Sequence, residues 1–325
     1  MARLVVSFVV WTLVMAPAPA LADAAGPTSY RSEVLDVQPA GTAHVEIVGG
    51  DAFVRLVAVP GRDIVVSGYE GEPYLRFAPD GTVLRNRRSP ATYLNDDRYG
   101  QVTIPDAADA AGPPDWEVVG TGGTWAWHDH RTHWMARTVP SIVADAADGS
   151  VVDVFTWEVP LLVDGRPGQI RGVLRWVPPV APYPWVALGV GAGIVVAVAL
   201  RRRRAEVVAA AGALAATVAV GAYLIQPPDA RAAGTELLAP VVGIAIAGYA
   251  LVRLRRAEPG WADGYVAIAA AVLVLWAVWS RQVFHMPVLP SLWPAPLVRA
   301  GTALAGGAAA GVMATWAGRE RTRAT

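Results

Sequence analysis

Arg175-Trp176-Val177-Pro178-Pro179-Val180-Ala181-Pro182-Tyr183-Pro184-Trp185-Val186-Ala187-Leu188-Gly189-Val190-Gly191-Ala192-Gly193-Ile194 is the stretch on which the fold turns. Pro178, Pro179, Pro182 and Pro184 stiffen it into a linker. Short β-branched runs and turn residues lie upstream. Long runs of Ala, Val, Leu, Gly and Ile lie downstream. The pattern predicts a mixed chain: an all-β sandwich followed by an α-helical transmembrane bundle of about five spans.

Upstream, the strand-like runs are His44-Val48, Phe53-Val57, Ile64-Ser67, Tyr74-Phe77, Thr82-Leu84, Trp116-Val119, Ser150-Trp157 and Ile170-Val177. Gly49-Gly50, Pro60-Gly61, Asp80-Gly81, Asp148-Gly149 and Asp164-Gly165 punctuate them as turns. No amphipathic helical period interrupts this region, which points to a sandwich over residues 23–182. Asp106 to Ala111 reads as a surface loop or helical turn.

Downstream, five apolar segments approach the length a bilayer core requires: about 184–200, 206–225, 237–252, 264–280 and 297–317. Arg201 to Arg204, Arg253, Arg255, Arg256, Arg319, Arg321 and Arg323 fall on one side of the spans. Arg231, Arg281 and Arg299 fall on the other. Ten arginines against three set the β-domain outside and the C-terminus inside. Tyr183, Trp185, Tyr223, Trp279 and Trp293 mark the outer boundary; Trp261, Tyr265 and Trp316 mark the inner one. The expected layout is a signal peptide at 1–22, the outer domain at 23–182, the bundle at 183–318 and a cytoplasmic tail at 319–325. Arg3, the apolar run Leu4 to Met15 and Ala20-Leu21-Ala22 carry the signal. Gly189 with Gly193, and Gly307 with Gly311, have the spacing of close helix packing. Glu206, Glu236 and Asp263 lie only at span ends, which favours an anchor over a proton-coupled pathway.

Composition narrows the function. The chain is 54% hydrophobic and 17% charged, which suits a membrane protein. Its formal net charge is zero, so nucleic acid is not an expected partner. The expected partners are the lipid bilayer and envelope proteins. Cysteine is absent, which removes disulfides and thiolate ligands. No glycine-rich phosphate loop, Gly-x-Ser-x-Gly elbow or His-Glu-x-x-His pair is present, so neither a nucleotide nor a familiar catalytic motif is expected.

Three of the five histidines fall within Trp127-His128-Asp129-His130-Arg131-Thr132-His133-Trp134-Met135. On an extended strand His128 and His130 would share a face, about 7 Å apart at Cα. Imidazole suits copper, zinc and nickel, and the Met135 thioether favours cuprous ion. Asp129 is a candidate acceptor that fixes a histidine tautomer. His285-Met286, between the fourth and fifth segments, repeats the histidine–methionine pairing on the outer side. The candidate metal ligands are therefore His128, His130, His133, Met135, His285 and Met286. Copper is the first expectation and zinc the second. The alternative is packing: Trp125, Trp127 and Trp134 would surround the histidines on a face that binds an envelope protein or the membrane surface. A histidine-based metallohydrolase is a third possibility, resting on the cluster alone. Elsewhere Tyr69, Tyr74 and Tyr93 form either a binding rim or ordinary packing, and His44 reads as incidental on a solvent face.

The run from Trp127 to Met135 resembles a signature of uncharacterised actinobacterial membrane proteins. Gly68-Tyr69-Glu70-Gly71-Glu72-Pro73-Tyr74-Leu75 and Ser89-Pro90-Ala91-Thr92-Tyr93-Leu94-Asn95 are similar to segments of the same group. The resemblance implies the architecture of signal, outer domain and helical anchor, and no mechanism. Val163 to Pro167 and Gly172 to Trp176 faintly resemble the closing hairpin of periplasmic copper-resistance sandwich domains. Those carry histidine where this chain has Arg166, so the likeness concerns fold and supplies no ligand.

Overall fold

The computed structural model describes residues 25–227, 235–256 and 261–324. The expected signal segment lies outside the described residues. Ten strands come first: β1 Tyr30–Gln38, β2 Ala43–Val48, β3 Phe53–Ala58, β4 Ile64–Ser67, β5 Pro73–Phe77, β6 Val83–Asn86, β7 Trp116–Gly120, β8 Thr124–Trp127, β9 Val152–Val163 and β10 Arg166–Trp176. Two single helical turns, α1 Ala91–Leu94 and α2 Ser141–Ala144, interrupt them. Seven strands form one antiparallel sheet in the order β1-β10-β9-β4-β5-β6-β7. The other three form a second sheet, β2-β3-β8.

Strand alternation explains the core. Along β9, Trp157, Val159, Leu161 and Val163 are buried while Thr156, Glu158, Pro160 and Leu162 face out. The β9–β10 hairpin closes through Asp164 and Gly165, both at positive φ (51° and 76°), as a two-residue turn requires. Val45, Val54, Leu56 and Trp127 of the small sheet join Ile64, Phe77, Leu161, Ile170 and Leu174 of the large one in a single core. Two strands escaped the sequence expectation. β1 pairs with β10 across a bulge at Val34/Asp36, and β8 is only four residues long.

After Val177 come α3 Tyr183–Val198, α4 Arg204–Ile225, α5 Thr235–Arg255, α6 Ala262–Trp279, a 3-10 turn at Ser280–Phe284, and α7 Ala295–Ala324. Among the described residues, four helical stretches are long and apolar enough to cross a membrane: Arg204–Ile225, Leu237–Arg255, Ala262–Phe284 and Ala295–Ala317. The sequence predicted five. The difference is α3, whose 16 residues reach only about 24 Å at 1.5 Å per residue. Pro182 opens α3, and a turn before the Arg201–Arg204 run closes it. Glycine does the packing here as predicted. A Cβ on Gly307 would fall 2.0 Å from the Gly189 carbonyl oxygen, and one on Gly311 2.3 Å from that of Gly193.

The two regions are stitched together at one end of the bundle. Thr28 and Val288 exchange backbone bonds of 3.0 and 3.1 Å, and the Val180 N–H donates to the His285 carbonyl at 2.9 Å. The Gln226 side chain, at the end of α4, accepts from the Ala25 N–H and donates to its carbonyl.

Gly307→Leu is expected to separate α3 from α7 and cost about 1–3 kcal/mol or more, the usual scale of overpacking. Thermal unfolding of the detergent-purified chain checks this. Gly191→Leu, which meets nothing within 4 Å, is the matched control.

Candidate metal centre

β8 delivers the histidines but does not carry them. The strand ends at Trp127, so the alternating strand geometry expected for His128 and His130 does not form. The chain turns instead around Asp129, which is fully buried. Its carboxylate accepts from the Trp127 indole N–H at 2.9 Å and from the Arg131 backbone N–H at 3.1 Å. The Arg131 guanidinium adds two bonds of 2.8 Å. Burial alone would raise the Asp129 pKa, but the Arg131 charge and these bonds hold it below the ordinary carboxylate range. The Thr132 N–H and hydroxyl both donate to the Asp129 carbonyl and close the turn.

This turn points three imidazoles at one another. Ring centroids lie 4.4 Å apart for His128 and His133, 5.5 Å for His130 and His133, and 5.6 Å for His128 and His130. One ring nitrogen from each falls within 4.8 Å of the other two. One nitrogen of each ring meets a backbone carbonyl. His128 Nδ1 bonds the Ala52 oxygen at 2.6 Å, His130 Nε2 that of Asp97 at 2.8 Å, and His133 Nδ1 that of Trp134 at 3.2 Å. A carbonyl only accepts, so each bonded nitrogen carries the proton in the neutral ring. The opposite nitrogen keeps its lone pair. Carbonyls therefore do the orienting that the sequence assigned to Asp129, and Asp129 serves Arg131 instead.

The free nitrogens are costly. Nε2 of His128 and of His133 are buried without a hydrogen-bond partner. A buried polar atom left unsatisfied costs about 1–3 kcal/mol. Burial pushes the His128 pKa down to about 4, with Arg98 and His130 adding to the shift against the Ala52 bond. Burial pushes His133 down to about 2, reinforced by His128 and Arg98. Both rings are thus neutral at pH 7, the state a metal ligand needs. Three nitrogens at about 2.0–2.1 Å from a tetrahedral ion would stand about 3.3 Å apart, against separations of up to 4.8 Å here, so the rings would draw together on binding.

The surroundings differ from the tryptophan shell expected. Trp127 packs toward Phe77 at 6.5 Å. Phe53 instead meets the edge of His128 at 6.1 Å, and Tyr69 stacks on His130 at 5.7 Å and 20°. The Tyr69 hydroxyl accepts from the His130 N–H and donates to the Asn95 side chain. Gly100, at φ 65°, lies against His130; a Cβ there would sit 3.2 Å from its Cε1. Tyr74 is buried and Tyr93 bonds the Arg87 carbonyl, so with Tyr69 they pack and form no rim. Phe53, Tyr69, Asp51 and Arg98 went unforeseen as site neighbours because they converge only through the tertiary fold.

The remaining candidates are Met135, His285 and Met286. The Met135 side chain is 37% exposed, whereas His133 is 1% exposed. His285 follows the 3-10 turn at the junction with the β-region. The Ser29 hydroxyl donates to the Met286 sulfur at 3.6 Å. Neither residue belongs to the converging triad. His44 is exposed on β2, as expected.

The two depressed histidines give the metal-free protein a pH signature. The folded state binds fewer protons than the unfolded state once the pH falls below about 6.5. Stability should therefore fall as the pH drops from 6.5 through about 4, the contribution of His133 continuing toward about 2. Each histidine contributes at most about 1.4 kcal/mol per pH unit. Melting curves of the chelator-treated chain at pH 7.5, 6 and 5 should show this slope, and His133→Gln should lose part of it. No family model, curated protein or solved structure matches the chain.

Proposed function

We propose that this chain is a membrane-anchored protein that holds a metal ion outside the cytoplasm, copper first and zinc second. The ligands are His128, His130 and His133. One observation carries the assignment: each imidazole is anchored by one nitrogen to a carbonyl, the three rings bring ligand nitrogens within 4.8 Å of one another, and Nε2 of His128 and of His133 is buried and unpartnered. Anchoring of this kind is how proteins orient metal-bound histidines. A packing role would not require three imidazoles to converge, and a partner-binding Trp/His face would need surface. His128, His133 and Trp127 are buried. No catalytic role is assigned to them.

The β-region is best taken as a two-sheet sandwich and the helices as a five-pass anchor, with α3 the shortest member. The helix ends at Ile225 and Phe284 and the start of α3 lie on the β-region's side, while Arg201 to Arg204, Arg253 and Arg255 lie on the other. That disposition, with basic residues on the inner side, supports an outer β-domain.

Metal analysis of the purified full chain should find about one ion per chain. Changing His128, His130 and His133 together to alanine should abolish it in a protein that still melts cooperatively. Equal metal in both forms sinks the assignment. Orientation has its own test, because the native chain has no cysteine. In intact cells a membrane-impermeant thiol reagent should label Asp148→Cys and spare Arg202→Cys.

A further inference from the structure

Resting on the metal-site assignment above, we propose that the triad is built for a monovalent ion, cuprous copper, and holds it in preference to Zn2+ and Cu2+. The donor set is three neutral imidazoles. Among the described His, Cys, Asp and Glu residues, no fourth ligand joins them. A divalent ion bound there would keep its full double charge. Sites for divalent ions usually offset that charge with a carboxylate, a thiolate or a bound hydroxide.

The nearby charges offer little compensation. Asp129 is spent on Arg131 and the Trp127 indole. Asp51, buried on the turn that supplies the Ala52 carbonyl, is paired with Arg98. The Asp97 carboxylate accepts two backbone N–H groups, from Tyr99 and Gln101, and its charge reaches His130 and His128 through space without ligating, so it offsets a bound ion's charge only in part. Arg98 acts on His128 and His133 through space, and with Asp51 it forms a net-neutral pair that supplies no compensating negative charge.

Burial sharpens the discrimination. His128 and His133 are nearly inaccessible, and Phe53 and Tyr69 wall the rings with aromatic surface. The cost of moving an ion out of water rises with the square of its charge, so an apolar, only partly compensated site penalises a dication far more than a monocation. Zn2+ on three histidines completes its tetrahedron with a water, so it would need room for that water beside two buried rings. Cuprous ion accepts three-coordinate nitrogen ligation and is the soft, singly charged member of the first-row series that imidazole binds.

The test uses the full chain in detergent. Cu+ affinity is measured anaerobically against a chromophoric cuprous chelator, Zn2+ affinity against a zinc indicator, and the Cu2+/Cu+ potential by titration. The expected result is binding of Cu+ at least tenfold tighter than Zn2+, with the potential at least 59 mV above that of the aqueous couple, the equivalent of a tenfold preference for Cu+ over Cu2+. His130→Asp adds one anionic donor at the least buried of the three positions. It should erase the preference for Cu+ over Zn2+. If wild-type chain binds Zn2+ within tenfold of Cu+, or if the potential is not raised, the preference is overturned while the metal site stands. If the preference survives in a folded His130→Asp variant, charge is not its cause and the proposal falls. If no metal binds to the wild-type chain, the site itself is refuted.

Discussion

A buried ion pair at the end of a four-residue strand shapes the centre of this protein. Asp129 and Arg131 are two residues apart, and both ends of the pair are withdrawn from water. Such a pair survives only when its lone pairs and protons are satisfied. The Trp127 indole, the Arg131 backbone and the Ser67 carbonyl, which accepts from Arg131 Nη2, supply those partners. Arg131 also lies over the Tyr69 ring, 5.0 Å from its centroid. Satisfying the pair forces the chain to turn at once after β8. That turn, and not strand periodicity, faces His128 and His133 toward each other.

The centre then depends on loops from distant parts of the chain. Ala52 lies between β2 and β3, and Asp97 follows α1. Each contributes a carbonyl that no side-chain chemistry could replace at the same position. The Ala52 turn has a second duty. Val48, Ala52, Phe53 and Ala126 form a small apolar cluster with Ala25 and Ile225, the last residue of α4. The residue that orients His128 is therefore seated against a helix end of the anchor. The centre sits at the base of the β-region, one layer of side chains from the bundle.

Much of the architecture was legible because it rests on short-range rules. Period-two alternation located eight of the ten strands, and Asp164-Gly165 named its own turn. β1 was missed because its outward residues and its bulge blur the alternation. The apolar segments and the paired glycines marked the bundle, since bilayer thickness and backbone approach are set by length and side-chain size. α3 is shorter than the segment expected at 184–200, because apolar composition runs past the helix into Ala199 and Leu200. Composition does not register where a turn begins.

By itself the sequence determined that a β-rich region precedes apolar helices, that three histidines are close along the chain, and that no thiolate can join them. Those are properties of residue identity and order. Only the tertiary structure decided that the histidines converge, which nitrogen of each is free, and that Asp129 is lost to Arg131. The reason is that the deciding partners are backbone carbonyls at positions 52, 97 and 134 and the burial around them. Every residue has a carbonyl, so nothing in the sequence distinguishes the three that matter.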